Sequence, residues 1–111
     1  MSTATATVQT DEQLSEVVRR IVEVCDPERI VLFGSTARGE ATEHSDLDLL
    51  VVKPEFPDRD RTLGDLYVRL YGVRVGVDLV LATPAELDRY KDAHCLVYRD
   101  ALRDGREVYH A

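Results

Sequence analysis

Two aspartates stand one residue apart in Ser45-Asp46-Leu47-Asp48-Leu49-Leu50-Val51-Val52, at the head of a run of Leu and Val. Along a strand, residues i and i+2 share a face, so Asp46 and Asp48 point one way while Leu47 and Leu49 enter the opposite layer. Neighbouring carboxylates repel, and one of them is driven toward its protonated form. A divalent cation removes that repulsion, and a hard ion such as Mg²⁺ takes carboxylate oxygens together with substrate phosphates. Asp78 interrupts a second apolar run, Val75-Gly76-Val77-Asp78-Leu79-Val80-Leu81. If the two runs are neighbouring strands, Asp78 faces the pair. Three carboxylates on one sheet face suit a two-metal phosphoryl-transfer site, whose ions lie ~3.5–4 Å apart. The bland alternatives are a solvated strand end for Asp46 and Asp48, and an edge-strand aspartate facing water for Asp78.

Upstream lies Gly34-Ser35-Thr36-Ala37-Arg38-Gly39-Glu40. A Gly-Ser turn leaving a buried strand exposes backbone N–H groups, and the helix start behind it favours anions. Gly34 lets the backbone approach a phosphate closely. Ser35 offers a hydroxyl. Arg38 offers a positive fork, with a surface ion pair to Glu40 or Glu43 as its alternative. Ser45 is either a nucleotide contact or a loop cap. Glu40, Glu43 and His44 read as solvated loop residues. Gly34 and Gly39 have the spacing of a phosphate-binding P-loop, but that loop continues with Lys and Ser/Thr. Here Glu40 and Ala41 follow, so the P-loop is excluded. Phosphate binders beside metal binders point to a nucleoside-triphosphate site.

The elements that must position these groups follow from periodicity. Residues 1–9 are small and polar and read as a flexible tail before a single domain over 10–111. Thr10 to Gln13 has capping-box spacing, and Leu14, Val17, Val18, Ile21, Val22 and Cys25 then share a helical face that ends at Asp26-Pro27. Ile30 to Phe33 reads as a strand buried on both faces, and Leu47 to Val52 as a second. A helix from about Arg61 to Tyr71 stops at Gly72. Val73 to Leu81 reads as a third strand. Thr83-Pro84-Ala85-Glu86 combines a cap, a proline at the first helical position and a glutamate completing the box. Helical sequence runs on to Asp104, and Glu107 to Tyr109 adds a short edge strand. The fold class is α/β (α+β): a small sheet with helices packed on it. The tyrosines read as core or interface, with Tyr67 and Tyr71 as candidates for a partner-binding patch.

The chain has 111 residues and a formal net charge of −7. That length fits one domain with one modest core. The acidic balance argues against general binding of nucleic-acid backbone but not against one small basic pocket. Cys25 and Cys95 form no metal-binding or redox spacing and read as reduced thiols. No apolar run reaches the length of a membrane span, and the N-terminus lacks the apolar core of a signal peptide, so the expected setting is the cytoplasm.

Gly-Ser, then Ala-Arg-Gly, then Ser-Asp-x-Asp, then one later strand aspartate resembles the DNA polymerase β-type nucleotidyltransferase superfamily, and the short length resembles its minimal nucleotidyltransferase branch. The resemblance covers roughly residues 12–110. It implies a small mixed sheet with helices on one face, and Mg²⁺-dependent transfer of a nucleoside monophosphate from NTP to a hydroxyl with release of pyrophosphate. By position it implies that Gly34 and Ser35 hold the triphosphate, with Arg38 as a further phosphate contact. It also implies that Asp46 and Asp48 bind two Mg²⁺ ions, and that Asp78 binds the catalytic one and helps activate the acceptor hydroxyl. Larger members carry a second domain that holds the acceptor. In the minimal branch a separate HEPN-type helical protein takes that role, often as the toxin of a toxin–antitoxin pair that the transferase neutralises with AMP from ATP. Two other readings stand beside this one: a non-catalytic module that neutralises such a partner by binding it, and a transferase acting on a small molecule such as an aminoglycoside. A domain this small with an open site is expected to associate, with a partner or with copies of itself.

Overall fold

The structure is a computed structural model that describes residues 2–34, 46–90 and 105–111, with side chains from residue 12 onward in the first segment. Its elements are α1 (Ser2–Cys25), β1 (Arg29–Phe33), β2 (Leu47–Val52), α2 (Arg59–Arg69), β3 (Val77–Ala82), α3 (Pro84–Tyr90) and β4 (Arg106–His110). The four strands form one mixed sheet in the order β3-β2-β1-β4. β1 runs antiparallel to β2 and β4, and β2 runs parallel to β3. The expected mixed sheet with packed helices is therefore present.

Its core has two faces. On one, Leu14, Val17, Ile21 and Cys25 of α1 and Leu66 and Leu70 of α2 pack on Ile30, Leu32, Leu47, Leu49, Val51, Leu79 and Leu81. On the other, Leu87 of α3 packs on Val31, Phe33, Leu50, Val52 and Ala82. Helices thus touch both faces of the sheet, which corrects the implied one-sided packing. The uninterrupted apolar character of β1 and of the second half of β2 is the reason, because a strand buried on both sides needs cover on both.

Four element limits differ from the sequence expectation. First, α1 is helical from Ser2, so residues 2–9 are not the expected tail and Thr10 is an interior position rather than the cap. Nothing between Ser2 and Gln9 is Gly or Pro, and Thr and Val each cost only tenths of a kcal/mol against Ala, so a helix nucleated downstream propagates cheaply. Second, α2 begins at Arg59 because Asp58 caps it, its Oδ1 accepting from the Arg61 amide at 3.1 Å. Third, α2 closes near Leu70, and Gly72 follows at φ +92°, a left-handed conformation that favours glycine. Arg20 of α1 reaches across to donate to the exposed Arg69 and Tyr71 carbonyls at that end. Fourth, β3 begins at Val77 rather than Val73. Its partner β2 starts at Leu47, whose amide donates to the Gly76 carbonyl, and among the described residues no strand pairs with residues 73–76.

Two tyrosines also depart from the core reading. Tyr67 is 42% and Tyr71 89% exposed, and with Val68 they form an apolar surface at the C-terminal end of α2 and just past it. The Tyr67 hydroxyl accepts from the Leu79 amide at 3.1 Å. Cys25 is a buried free thiol, and burial pushes its pKa up. Cys95 and the helical sequence past Tyr90 lie outside the described residues.

The cap of α3 is the one expected. Glu86 accepts from the Thr83 amide at 2.9 Å, and the Thr83 hydroxyl accepts from the Glu86 amide at 3.1 Å. Glu86 also accepts two hydrogen bonds from Arg59, tying α3 to the start of α2. The Arg59 guanidinium is the main cause that holds the Glu86 carboxyl below its ordinary pKa, against the opposing effect of burial. A carboxylate depressed in the folded state stabilises above its unfolded pKa, and that contribution is lost as pH falls through the folded value. Glu86→Gln keeps the cap geometry and removes the charge. Urea titration should show a loss of about 0.5 kcal/mol near neutral pH and none in strong acid.

Candidate active site

The three aspartates meet where the register predicts. Asp48 and Asp78 are lateral partners on the parallel strands β2 and β3, and Phe33, the last residue of β1, lies opposite Asp48 on its other side. Asp46 immediately precedes β2. By alternation all three belong to the sheet face that carries Leu50, Val52 and Ala82, while Leu47, Leu49 and Leu79 fill the α1/α2 side. The aspartates occupy the end of that face opposite the Ala82 end of β3, where α3 follows.

Asp48 feels both of the other carboxyls. Partial burial pushes the Asp48 pKa up, the charges of Asp78 and Asp46 push it further, and a side-chain hydrogen bond with Asp78 adds to this. As they stand, the carboxyls do not close on one point. Among the described residues no three His, Cys, Asp or Glu side chains are grouped to clasp an ion. The donor set nonetheless fits a hard cation: three carboxylates, no nitrogen or sulfur, on adjacent strands.

Two glycines border the carboxylates. Gly34, directly after β1 at φ +77°, lies against the Asp48 carboxylate, and a β-carbon there would collide with Asp48 Oδ2. The expected neighbourhood of the Gly-Ser turn and the aspartate pair is thus present at Gly34. Gly76 lies against the Asp46 carboxylate in the same way. Sequence reasoning passed over Gly76, although a glycine within an apolar strand-like run is itself a signal of close approach. It also passed over Tyr67, whose hydroxyl is bonded one residue from Asp78. Ser35, Arg38 and Ser45, with Glu40, Glu43 and His44, lie outside the described residues.

A cleft of about 610 Å³ opens elsewhere, between α1 and β4, lined by Leu14, Val18, Val22, Val108 and Tyr109 among others. It lies on the α1 side of the sheet and is mainly apolar, so it brings no chemistry to the carboxylates.

A family model described as nucleotidyltransferase domain matches residues 11–107 of this chain. The chain belongs to that nucleotidyltransferase family. Two Methanocaldococcus jannaschii proteins named as candidate protein adenylyltransferases are similar to it. One is 40% identical over 63 residues, covering 52% of this chain and 43% of the relative. The other is 36% identical over 81 residues, covering 73% and 77%. Among solved structures, a candidate nucleotidyltransferase from Sulfolobus solfataricus superposes with a TM-score of 0.66 at 22% identity, covering 99% of this chain and 88% of that one. A mutant toxin–antitoxin MntA–HpeT assembly gives 0.64 at 15% identity, covering 87% and 73%. A toxin–antitoxin structure with AMP-PNP gives 0.61 at 19% identity, covering 90% and 73%. At these identities the solved structures establish that the nucleotidyltransferase shares their fold.

Proposed function

We propose that this nucleotidyltransferase transfers AMP from ATP to a hydroxyl of a partner protein, with Mg²⁺ held by Asp46, Asp48 and Asp78. The observation that carries the reading is the convergence of those three carboxylates on one sheet end beside Gly34. Bound Mg²⁺, two ions in this reading, would neutralise triphosphate charge and favour the ionised acceptor hydroxyl. The chain's own groups do the rest. The Gly34-Ser35 turn, with Arg38 and Ser45, holds the triphosphate and turns the α-phosphate toward the aspartates. Asp78, exposed on the outermost described strand, would take the hydroxyl proton. The acceptor oxygen bonds to the α-phosphorus, and pyrophosphate leaves.

What supports a protein acceptor is the description of both curated relatives as protein adenylyltransferases and of two structural neighbours as toxin–antitoxin structures. A HEPN-type helical protein, with this chain as its antitoxin, is the partner in this reading. The cytoplasm, with its ATP and Mg²⁺, is the setting. No described helix is long and apolar enough to cross a membrane.

Calorimetric titration of the purified chain with ATP should show binding that needs Mg²⁺ and is abolished by EDTA. With the acceptor present, label should pass from the α-phosphate of ATP and not from the γ-phosphate. Absence of Mg²⁺-dependent binding, or transfer of γ label, would overturn the proposal.

A further inference from the structure

Glycines occur in this chain for separable reasons. Gly72 has a left-handed φ and nothing within 4 Å of a notional β-carbon, so its need is conformational. Gly64, inside α2, has neither a left-handed φ nor a neighbour, so nothing requires a glycine there. Gly34 combines a left-handed φ with the Asp48 contact. Gly76 is a different case. Its φ is not left-handed, so its backbone accepts an L side chain. Yet a β-carbon would fall on the Asp46 carboxylate, colliding with Oδ1 and coming within 2.7 Å of Cγ. Gly76 also accepts the Leu47 amide through its carbonyl at 2.8 Å, so its α-carbon is tied in place beside the residue that follows Asp46.

We propose that Gly76 is a positioning residue: its bare α-carbon is the seat on which the Asp46 carboxylate rests, and that seat sets where Asp46 meets the metal. Asp46 is exposed and the colliding atoms are the end of its side chain, so an added methyl group displaces the carboxylate instead of unfolding the sheet. The glycine is thus required for ligand placement and not for the chain path. The inference rests on Asp46 being a metal ligand, as in the proposed function.

The test uses the full chain and Mn²⁺ alone, followed by the loss of its free-ion paramagnetic signal on binding, beside thermal melts of the metal-free protein. Gly76→Ala should weaken Mn²⁺ affinity about 10- to 100-fold, the usual range for groups that orient a ligand. Its metal-free melting temperature should be unchanged or slightly raised, because alanine restricts the unfolded chain. Gly64→Ala, the control, should leave Mn²⁺ affinity unchanged. In an Asp46→Asn background Gly76→Ala should cost nothing further, because it acts through that carboxylate. Wild-type affinity in Gly76→Ala, a metal-free melt lowered by several degrees, or full additivity with Asp46→Asn would each overturn the inference. If Asp46→Asn itself left Mn²⁺ affinity unchanged, the metal reading would fall and the inference with it. If Asp46→Asn weakened binding and Gly76→Ala did not, the inference alone would fall.

Discussion

Asp48→Asn should abolish nucleotide transfer while making the metal-free protein more stable. The transfer loss follows from the proposed role of the site: charge stabilisation by bound metal would amount to several kcal/mol, and about 1.4 kcal/mol is tenfold, so roughly a thousandfold or more should be lost. The stability gain follows from the sign of the pKa shift. Burial, then Asp78 and Asp46, raise the Asp48 pKa. The folded state therefore binds a proton more readily than the unfolded state, and the stability this confers is full below the unfolded value and lost as pH rises through the folded one. Above that folded value the wild-type chain carries an unfavourable charge that the asparagine variant lacks. Thermal melts without metal should place Asp48→Asn above wild type near neutral pH, with the difference closing in acid. Added Mg²⁺ and ATP should raise the wild-type midpoint and leave the variant's unmoved. A variant that melts below wild type and still transfers nucleotide would refute both halves.

The largest expected loss of stability is at Leu49. It has no exposed surface, lies on β2 between two hydrogen-bonded neighbours, and packs into the α1/α2 side of the core. Leu49→Ala removes buried methyl groups and leaves a cavity that the sheet cannot close, at a cost of about 2–5 kcal/mol. Against a total of ~5–15 kcal/mol for a domain, that is a large share. The urea midpoint should fall sharply with an unchanged slope. Val68→Ala, on the exposed face of α2 at 77% exposure, should shift the midpoint by about 0.5 kcal/mol or less.

What could be read in advance was local. β2 spans Leu47–Val52 as its apolar run requires, and the Thr83–Glu86 box forms because both of its halves lie within four residues. The meeting of Asp46, Asp48 and Asp78 was legible because a carboxylate in an apolar strand needs a reason, and two such strands had to pair. What could not be read depended on partners distant in sequence. β3 begins only at Val77, where the described part of β2 begins to pair with it. Leu87 covers the second sheet face, which no helical periodicity announces. The contact of Gly76 with Asp46 depends on a register linking positions thirty residues apart.

The hydroxyl of Tyr67 has a consequence for how copies of this chain avoid one another. Among the described strands β3 is the last in the sheet, and its outer rim would offer hydrogen-bonding groups to any extended polypeptide. Tyr67 fills one such position, at Leu79, with a group from its own chain. The residue beside it, Asp78, adds a negative charge at the same rim, a second deterrent to strand addition. Tyr67 and Asp78 therefore mark one stretch of backbone, and exchanging either should make strand addition along β3 easier.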